Sequence, residues 1–375
     1  HYFGLTSARP DSETSTMSNS TGFEMRRNYV QVKGFFNDKD YFRVTMDATK
    51  ELNVPTNNQG DSLTQERDTS PQNNGFSGVF IKYAYIWLDE ILPYTGVEIG
   101  MSHRPWIDYE EHNSWYYRSW SKVALENRTG KASNSLSEHG PDLVNSADLG
   151  FNVKTKTDYF TSEIGMFNGE GYHADKIAGN QSNSQDLSLE WRLTADLLGQ
   201  GKKQGKYDRT KDTYAHISTY GLMSKNHKDN SLTVNDAGEY NRNIFGLHAV
   251  YNQPEFLLAG QIYTAQDEFQ NGLQDTDYKG WSINGEYRPF QDWTVIGRYD
   301  AFTKDTTNNL TGVETANNDG TTWMYGLAYK YSNYVSFIGS GKVIDDNAKN
   351  ANGTDVVDAK SVGKNVYMLT TEVKW

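Results

Sequence analysis

The sequence predicts an all-β fold. We expect a transmembrane, antiparallel β-barrel of sixteen strands, with long loops at one rim, short turns at the other and the third long loop folded into the lumen. Three observations support this prediction. Apolar and polar residues alternate in segment after segment, which is typical of strands with one apolar face. The connections between these segments are alternately short and long. One long connection is unusually rich in aromatic and charged residues.

The composition is compatible with a membrane barrel and argues against several other classes of protein. Mean hydropathy is -0.77, and no stretch approaches the ~18 consecutive apolar residues of a membrane helix. A barrel escapes this test because only alternate wall residues contact lipid. The net charge of -12 argues against a nucleic-acid partner, which requires a basic face. The lack of cysteine removes thiol catalysis, Cys-based zinc sites and disulfide bonds.

The predicted strands follow one another along the whole chain, and short turns rich in Asn, Asp, Pro and Gly join them in pairs. The clearest run has Leu189, Trp191 and Leu193 on one face. Glu190 and Arg192 lie on the opposite face of the same run, which we expect to line the lumen. The runs span residues 23–36, 41–48, 78–88, 94–102, 146–156, 159–168, 185–197, 212–224, 240–251, 256–265, 278–288, 293–301, 322–331, 334–343 and 364–375.

The number of strands follows from the even count that outer-membrane barrels have. Fifteen runs begin at or after residue 23, so we expect one more strand before it, with residues 1–5 as its upper end. The first residues also lack the basic and apolar regions of a signal peptide, so the sequence is either a mature form or begins inside its first strand. Residues 1–375 then form a single barrel whose first strand is incomplete at the N-terminus, and residues 103–145 form its third loop.

The stretch 103–120 is unusually rich in aromatic and charged residues. It contains three Trp, three Tyr, two His, two Arg, two Glu and one Asp. An alternating run precedes it, and another follows a long polar stretch. Soluble domains seldom place so many aromatic and charged residues in one connection. We therefore predict that this loop folds into the lumen and narrows it.

The chain resembles the 16-stranded general porins of Gram-negative outer membranes, over essentially its whole length. The resemblance rests on the hairpin rhythm, the long charged third loop and the last strand, where Tyr367, Leu369, Val373 and Trp375 alternate up to an aromatic end. That end looks like the signal read by the barrel-assembly machinery, with Trp where Phe is usual. The pattern RRNYVQVKGFF followed by YFRVTMD is also similar to proteobacterial porins.

The resemblance implies a function, a location and partners. It implies passive diffusion of ions and small hydrophilic solutes through an outer-membrane channel, with long extracellular loops and short periplasmic turns. It also implies contact with outer-membrane lipid and lipopolysaccharide, and assembly as a homotrimer. No nucleic acid is expected. Three alternatives stay open: a substrate-specific channel for a sugar or a carboxylate, a β-rich surface adhesin, and an outer-membrane enzyme with a Ser/His pair such as His216 and Ser218.

By the same resemblance, basic wall residues face acidic residues of the third loop across the narrowest part of the channel. Opposite charges across a narrow passage produce a transverse field that favours polar solutes, and we expect a mild preference for cations. The alternative is that these side chains are solvated charges at wide points of the lumen. The basic side would comprise Arg27, Arg43 and Lys82, and the acidic side Asp108, Glu110 and Glu111.

The aromatic residues of the loop allow two interpretations. Trp106, Tyr109, Trp115 and Tyr116 either pack the loop against the inner wall or stack against sugar rings of a solute, and we favour packing. No cofactor is expected. His103, His112 and His139 lack the compact spacing of metal ligands. Calcium held by oxygen atoms of the acidic, Asn-rich loops is a weaker alternative.

Overall fold

A computed structural model describes residues 2–10, 17–25, 27–49, 78–127, 140–169, 171–172, 186–199, 207–228, 239–269, 274–309, 313–350 and 364–374. Its strands all belong to one antiparallel sheet. Among these residues, no helix is long and apolar enough to cross a membrane. The elements are β1 (Tyr2–Pro10), β2 (Met17–Met25), β3 (Tyr29–Phe35), β4 (Tyr41–Thr49), β5 (Gly78–Leu92), β6 (Thr95–His103), α1 (Pro105–Asn113), a 3₁₀ turn (Ala124–Glu126), β7 (Ala147–Lys156), β8 (Phe160–Phe167), β9 (Ser188–Leu198), β10 (Tyr214–Lys228), β11 (Glu239–Gln253), β12 (Phe256–Phe269), β13 (Gln274–Phe290), β14 (Trp293–Asn308), β15 (Val313–Lys330), β16 (Val335–Asn350) and β17 (Lys364–Val373).

The sheet closes into a barrel because β1 pairs with both β17 and β2. From β3 to β17, each strand pairs antiparallel with the next. The strand expected before residue 23 is β1. The expected run at 23–36 is divided between β2, which pairs with β1, and β3, which pairs with β4. The predicted barrel is confirmed. The predicted sixteen strands agree only approximately, because the number depends on whether β2 and β3 are counted as one strand or two.

The two faces of the wall differ as the alternation predicts. In β9, Glu190 and Arg192 are buried inside the barrel, whereas 41% of Leu189 is exposed on the outer face. Large apolar side chains are exposed on the outer face of many strands, an arrangement that soluble monomers rarely show and that lipid contact explains. Examples are Val32, Ile86, Leu149, Phe245, Leu258, Ile283, Trp323 and Leu369.

A β-bulge in β5 changes which residues face the lumen near the N-terminal end of this strand. The β4–β5 register shifts between Thr45 and Met46, which lie opposite Tyr83 and Ile81, so Lys82 is the extra residue. As a result Lys82 and Tyr83 are both buried inside the barrel, while Ile81 is exposed outside. Strict alternation alone would place only one of the two adjacent residues inside.

The core of the molecule lies within the barrel, where the third loop packs against inward-facing apolar side chains of the wall. This packing involves β10 to β17, so the loop is pressed against one side of the lumen. Loop residues of this core include Trp106, Ile107, Tyr109, Trp115, Tyr117, Trp120, Val123, Leu125 and Leu143, and wall residues include Tyr220, Ile244, Tyr263, Ile296, Met324, Ile338 and Met368.

Candidate functional site

The third loop enters the lumen directly after β6, at Arg104. Pro105 begins α1, a position where the missing N–H has no intrahelical partner to lose. The Arg104 side chain is 3% exposed, and its Nε donates to Glu190 Oε1 at 2.9 Å. Its Nη2 lies 3.3 Å from Asp148 Oδ2 and donates to Gly169 O at 2.9 Å. This buried ion-pair cluster therefore fixes the start of the helix to β7 and β9.

The aromatic side chains of α1 and of the segment after it lie between the loop and the wall. Trp106 stacks on Tyr220 with ring centroids 3.7 Å apart and ring planes at 11°. The Tyr109 hydroxyl and His216 Nδ1 form a hydrogen bond of 2.8 Å. Trp115 is 1% exposed and donates from its indole N–H to Ser121 O within the loop. The faces of these three predicted stacking rings are thus covered by the protein itself.

The side of the barrel formed by β10 to β17 is called the far wall here. Its side chains hold the loop beyond α1 by donating hydrogen bonds to loop carbonyls. Asn284 Nδ2 donates to Ser114 O at 2.8 Å, and Arg298 Nη1 donates to Lys122 O at 2.8 Å. The Arg298 guanidinium also lies 4.6 Å from the Trp115 ring centroid, within cation–π range. Further hydrogen bonds run from Gln261 to Glu110, from Arg242 to Leu143 and from Lys342 to Ser121.

Asp108 lies on the opposite side of α1, near basic side chains of β4, β6 and β7. Its Oδ1 is 3.3 Å from His112 Nδ1 and 3.7 Å from His103 Nε2, and its Oδ2 is 4.0 Å from Lys154 Nζ. Arg43 Nη1 is 3.3 Å from the same His103 Nε2. Burial alone would raise the pKa of the Asp108 carboxyl, but His103, His112 and Lys154 hold it well below its usual range. The carboxylate is therefore charged and 23% exposed to the lumen.

Glu111 is paired within the loop. It forms an ion pair with Arg118, which also makes two hydrogen bonds of 2.6 and 2.7 Å to the carboxylate of Glu126. Burial alone would raise the pKa of Glu126, but the Arg118 guanidinium holds it below its usual range. Arg118 thus lies between two carboxylates of the third loop.

Glu110 points to the far wall, away from Asp108 and Glu111. It is 2% exposed, and its Oε1 accepts a 2.6 Å hydrogen bond from Gln261 Nε2. Burial raises the pKa of the Glu110 carboxyl to about 8, although Arg298 opposes the shift. At neutral pH most of this carboxyl is protonated. The structure therefore does not bring the three predicted acidic residues together, and their role in a constriction stays a prediction.

The predicted basic residues form two groups with different neighbours. Arg43 reaches the neighbourhood of Asp108 and donates to Tyr85 and Thr45. Lys82 is 1% exposed and donates to the Tyr29 hydroxyl at 2.7 Å, with its ammonium near several tyrosine rings. Arg27 lies two residues before the start of β3 and is half-buried. Arg43 thus lies near Asp108 through their shared neighbour His103, whereas the charged neighbours of Lys82 include Arg118 and Glu126 of the third loop.

Sequence reasoning missed the residues that hold the loop. The alternation places Glu190 and Arg298 in the lumen, but nothing in the sequence pairs them with Arg104 or with Lys122. A signal for α1 was present, since Pro105 followed by acidic residues is typical of a helix start. Reading that signal would have separated Glu110 from its neighbours.

Among the described residues, no three His, Asp or Glu side chains form a metal site. His139 lies outside those residues, as does Trp375.

Comparison with known proteins supports the fold. No protein-family model matches the sequence, and no curated protein matches it. The structure is similar to that of the outer-membrane protein OmpT of Vibrio cholerae, folded in vitro, with a TM-score of 0.60 and 13% identity over 100% of this chain and 95% of that one. An anion-selective porin from Comamonas acidovorans aligns with a TM-score of 0.61 and 10% identity, over 100% and 99%. The outer-membrane channel DcaP of Acinetobacter baumannii aligns with a TM-score of 0.55 and 8% identity, over 100% and 95%. The chain has the fold of outer-membrane porins.

Proposed function

We propose that this chain is a channel of the outer membrane through which ions and small hydrophilic solutes diffuse passively, with a mild preference for cations. One observation carries the proposal. The third loop lies inside a closed barrel and is bonded to one side of it, while charged side chains of the loop and of the opposite wall approach each other. Asp108, His103, Arg43 and Lys154 form this approach.

The preference for cations rests on the charges that remain after neighbouring groups are paired. Asp108 is ionised and reaches the lumen, whereas most of Glu110 is protonated at neutral pH and faces the wall. Arg43 and Lys154 oppose the field of Asp108, so the preference is mild. The opposition from Lys154 is partial, because its ammonium also lies 3.1 Å from Glu98 and 3.3 Å from Glu163. We keep Glu111 on the acidic side with Asp108, and Arg27 and Lys82 on the basic side with Arg43.

The aromatic residues support a channel for general diffusion better than one for sugars. Trp106, Tyr109 and Trp115 are each at most 7% exposed, so a solute in the lumen has no open ring face to stack on. Tyr116 is half-buried, and its hydroxyl contacts that of Tyr214 at 3.0 Å. Packing of the loop is therefore the role that we propose for these rings.

We propose that the chain has no enzymatic activity. The pair of His216 and Ser218, which an outer-membrane hydrolase would need at its rim, lies beneath the third loop at 3% and 1% exposure. His216 is bonded to Tyr109, and the Ser218 hydroxyl lies 2.8 Å from the hydroxyl of Thr194. A substrate would have to displace the loop to reach either side chain.

The outer membrane and a homotrimeric assembly are the setting that fits this surface. The exposed apolar side chains form the lipid-facing wall that an aqueous compartment would not tolerate. One solved form of OmpT is described as a trimer. The fold does not decide the sign of ion selectivity, because the Comamonas protein is described as anion-selective. In this chain we attribute the sign to the charges near α1.

Conductance in planar lipid bilayers tests the proposal. The purified protein should open stable, water-filled channels, and a KCl gradient should give a small zero-current potential of the sign expected for excess potassium permeability. Uncharged sugars added in a series of sizes should slow ion flow in proportion to their concentration and without saturation. A saturable block by one sugar or one carboxylate would favour a substrate-specific channel. A protein that inserts without any conductance would refute the proposal.

A further inference from the structure

The connection between β9 and β10 is long for its rim of the barrel. Its described residues are 199 and 207–213, and residues 208–212 form a hydrogen-bonded turn. The N–H groups of Lys211 and Asp212 donate to Asp208 O at 3.0 and 2.8 Å. Thr210 N donates to Asp208 Oδ1 at 3.0 Å. Because successive strands alternate in direction, this turn lies at the rim opposite to the one from which the third loop enters.

Neighbouring strands hold the turn in place. Asn252, at the end of β11, is completely buried and donates from its amide nitrogen to Arg209 O at 3.0 Å and to Asp212 O at 2.7 Å. The Tyr207 hydroxyl donates to Gly199 O at 2.7 Å, and its ring lies 4.7 Å from that of Tyr214. The turn is therefore held against the wall through its backbone carbonyls, independently of the Arg209 side chain.

The Arg209 side chain extends from this turn to the underside of the third loop. Its Nη1 donates to the Tyr117 hydroxyl at 3.2 Å and to Glu286 Oε1 at 2.5 Å. Its guanidinium lies 4.3 Å from the ring centroid of Tyr116 and 5.2 Å from that of Tyr117. Glu286 is held in turn by Arg288 Nη1 at 2.7 Å. One turn residue thus donates hydrogen bonds to both the third loop and β13.

We propose that Arg209 is a positioning residue that clamps the Tyr116–Tyr117 segment of the third loop from the turn rim and so keeps the passage at one width. This rests on the channel function proposed above. The wall hydrogen bonds at Ser114 and Lys122 flank this segment, and Arg209 contacts both rings between them. Loss of Arg209 leaves Glu286 paired with Arg288, so the effect falls on the loop and not on the assembly of the barrel.

A cysteine introduced at the clamp allows its charge to be removed and restored in the folded protein, because the chain has no cysteine of its own. In Arg209→Cys, transitions to sub-conductance states should become about tenfold more frequent, since a cation–π contact and a charge-assisted hydrogen bond are both lost. Aminoethyl methanethiosulfonate adds an ammonium group and should return the frequency towards that of the wild type. Neutral methyl methanethiosulfonate should not, and a reducing agent should reverse the rescue.

Lys211→Cys is the matched control, because Lys211 lies in the same turn, is 78% exposed and pairs with Asp208. It should behave as the wild type before and after either reagent. Equal behaviour of the two cysteine variants, or equal rescue by the neutral reagent, would overturn the clamp. If Arg209→Cys does not assemble, Tyr117→Phe removes the hydroxyl that Arg209 contacts. There we expect an increase of about threefold, and wild-type behaviour would overturn the clamp.

A second measurement separates the clamp from the channel function. Hydrogen exchange of the amides of residues 115–118 needs no conductance, and it should be faster in Arg209→Cys than in Lys211→Cys. A wild-type protein that does not conduct would refute the channel, while this exchange comparison would still decide the clamp. Unchanged exchange in a conducting protein would refute the clamp and leave the channel standing.

Discussion

Replacement of Asp108 by Asn tests how far a single loop carboxylate sets ion preference. The change removes one negative charge and keeps the shape of the side chain, so the packing of α1 should persist. The carboxylate is ionised, partly exposed to the lumen and within 4.0 Å of the Lys154 ammonium. The substitution should therefore reduce the preference for potassium over chloride and leave the conductance of the open channel similar.

The expected magnitude follows from Coulomb's law. An ion passing ~6 Å from Asp108 in water interacts with it by ~0.7 kcal/mol, which corresponds to about threefold in the local concentration of either ion. Opposite effects on potassium and chloride would change their permeability ratio by about tenfold. Lys154 and Arg43 oppose part of this field, so a decrease of about three- to tenfold is the expected range.

The assay is the zero-current potential across a planar bilayer in a KCl gradient, at two ionic strengths. The difference between wild type and Asp108→Asn should be larger with ~0.01 M salt on the dilute side than near 1 M, because the Debye length shortens from ~30 to ~3 Å. Glu110→Gln is the matched control: most of that carboxyl is protonated and faces the wall, so its replacement should leave the potential unchanged at neutral pH. Equal shifts in the two variants, or no shift in Asp108→Asn, would refute the proposed geometry of the passage.

Three further predictions concern the loop and the wall. The raised pKa of Glu110 means that its contribution to stability is complete below pH ~4.5 and is lost as the pH rises to about 8; thermal unfolding of Glu110→Gln should lack this decline, and an unchanged decline would assign it to another group. Trp191→Arg should destabilise the barrel by about 2–4 kcal/mol in urea titrations in lipid if this site lies near the bilayer midplane, whereas Trp191→Phe should be nearly neutral. Arg104→Ala should cost about 3–5 kcal/mol, because Glu190 and Asp148 would remain buried without their cation; a cost below ~1 kcal/mol would mean that the cluster is solvated.

The alternation of the wall could be predicted from the sequence because it is a local property. Side chains of a strand point to opposite faces with a period of two, so the burial of Glu190 and the exposure of Leu189 follow from their positions alone. The same rule fails at Lys82. A bulge adds one residue to β5, and whether a strand contains a bulge depends on its partner strand, which the local pattern does not contain.

The acidic cluster of the third loop shows why proximity in sequence does not decide proximity in space. Asp108, Glu110 and Glu111 lie within four residues, but α1 turns by ~100° per residue. Asp108 and Glu111 therefore share one side of the helix, and Glu110 points to the other. Because of this rotation, the Glu110 carboxyl contacts the far wall and is mostly protonated at neutral pH. The Asp108 carboxylate faces the lumen and stays charged.

The sequence by itself determined the closed antiparallel barrel, the inner and outer faces of its strands and the loop that enters its lumen, because local periodicity and turn chemistry carry this information. Only the tertiary structure decided which charges meet. Arg104 reaches Glu190, and Arg209 reaches Tyr117, across separations of more than eighty residues. Such pairs form where the loop and the turn happen to be held against the wall, and that position results from packing of the whole lumen and not from any local pattern.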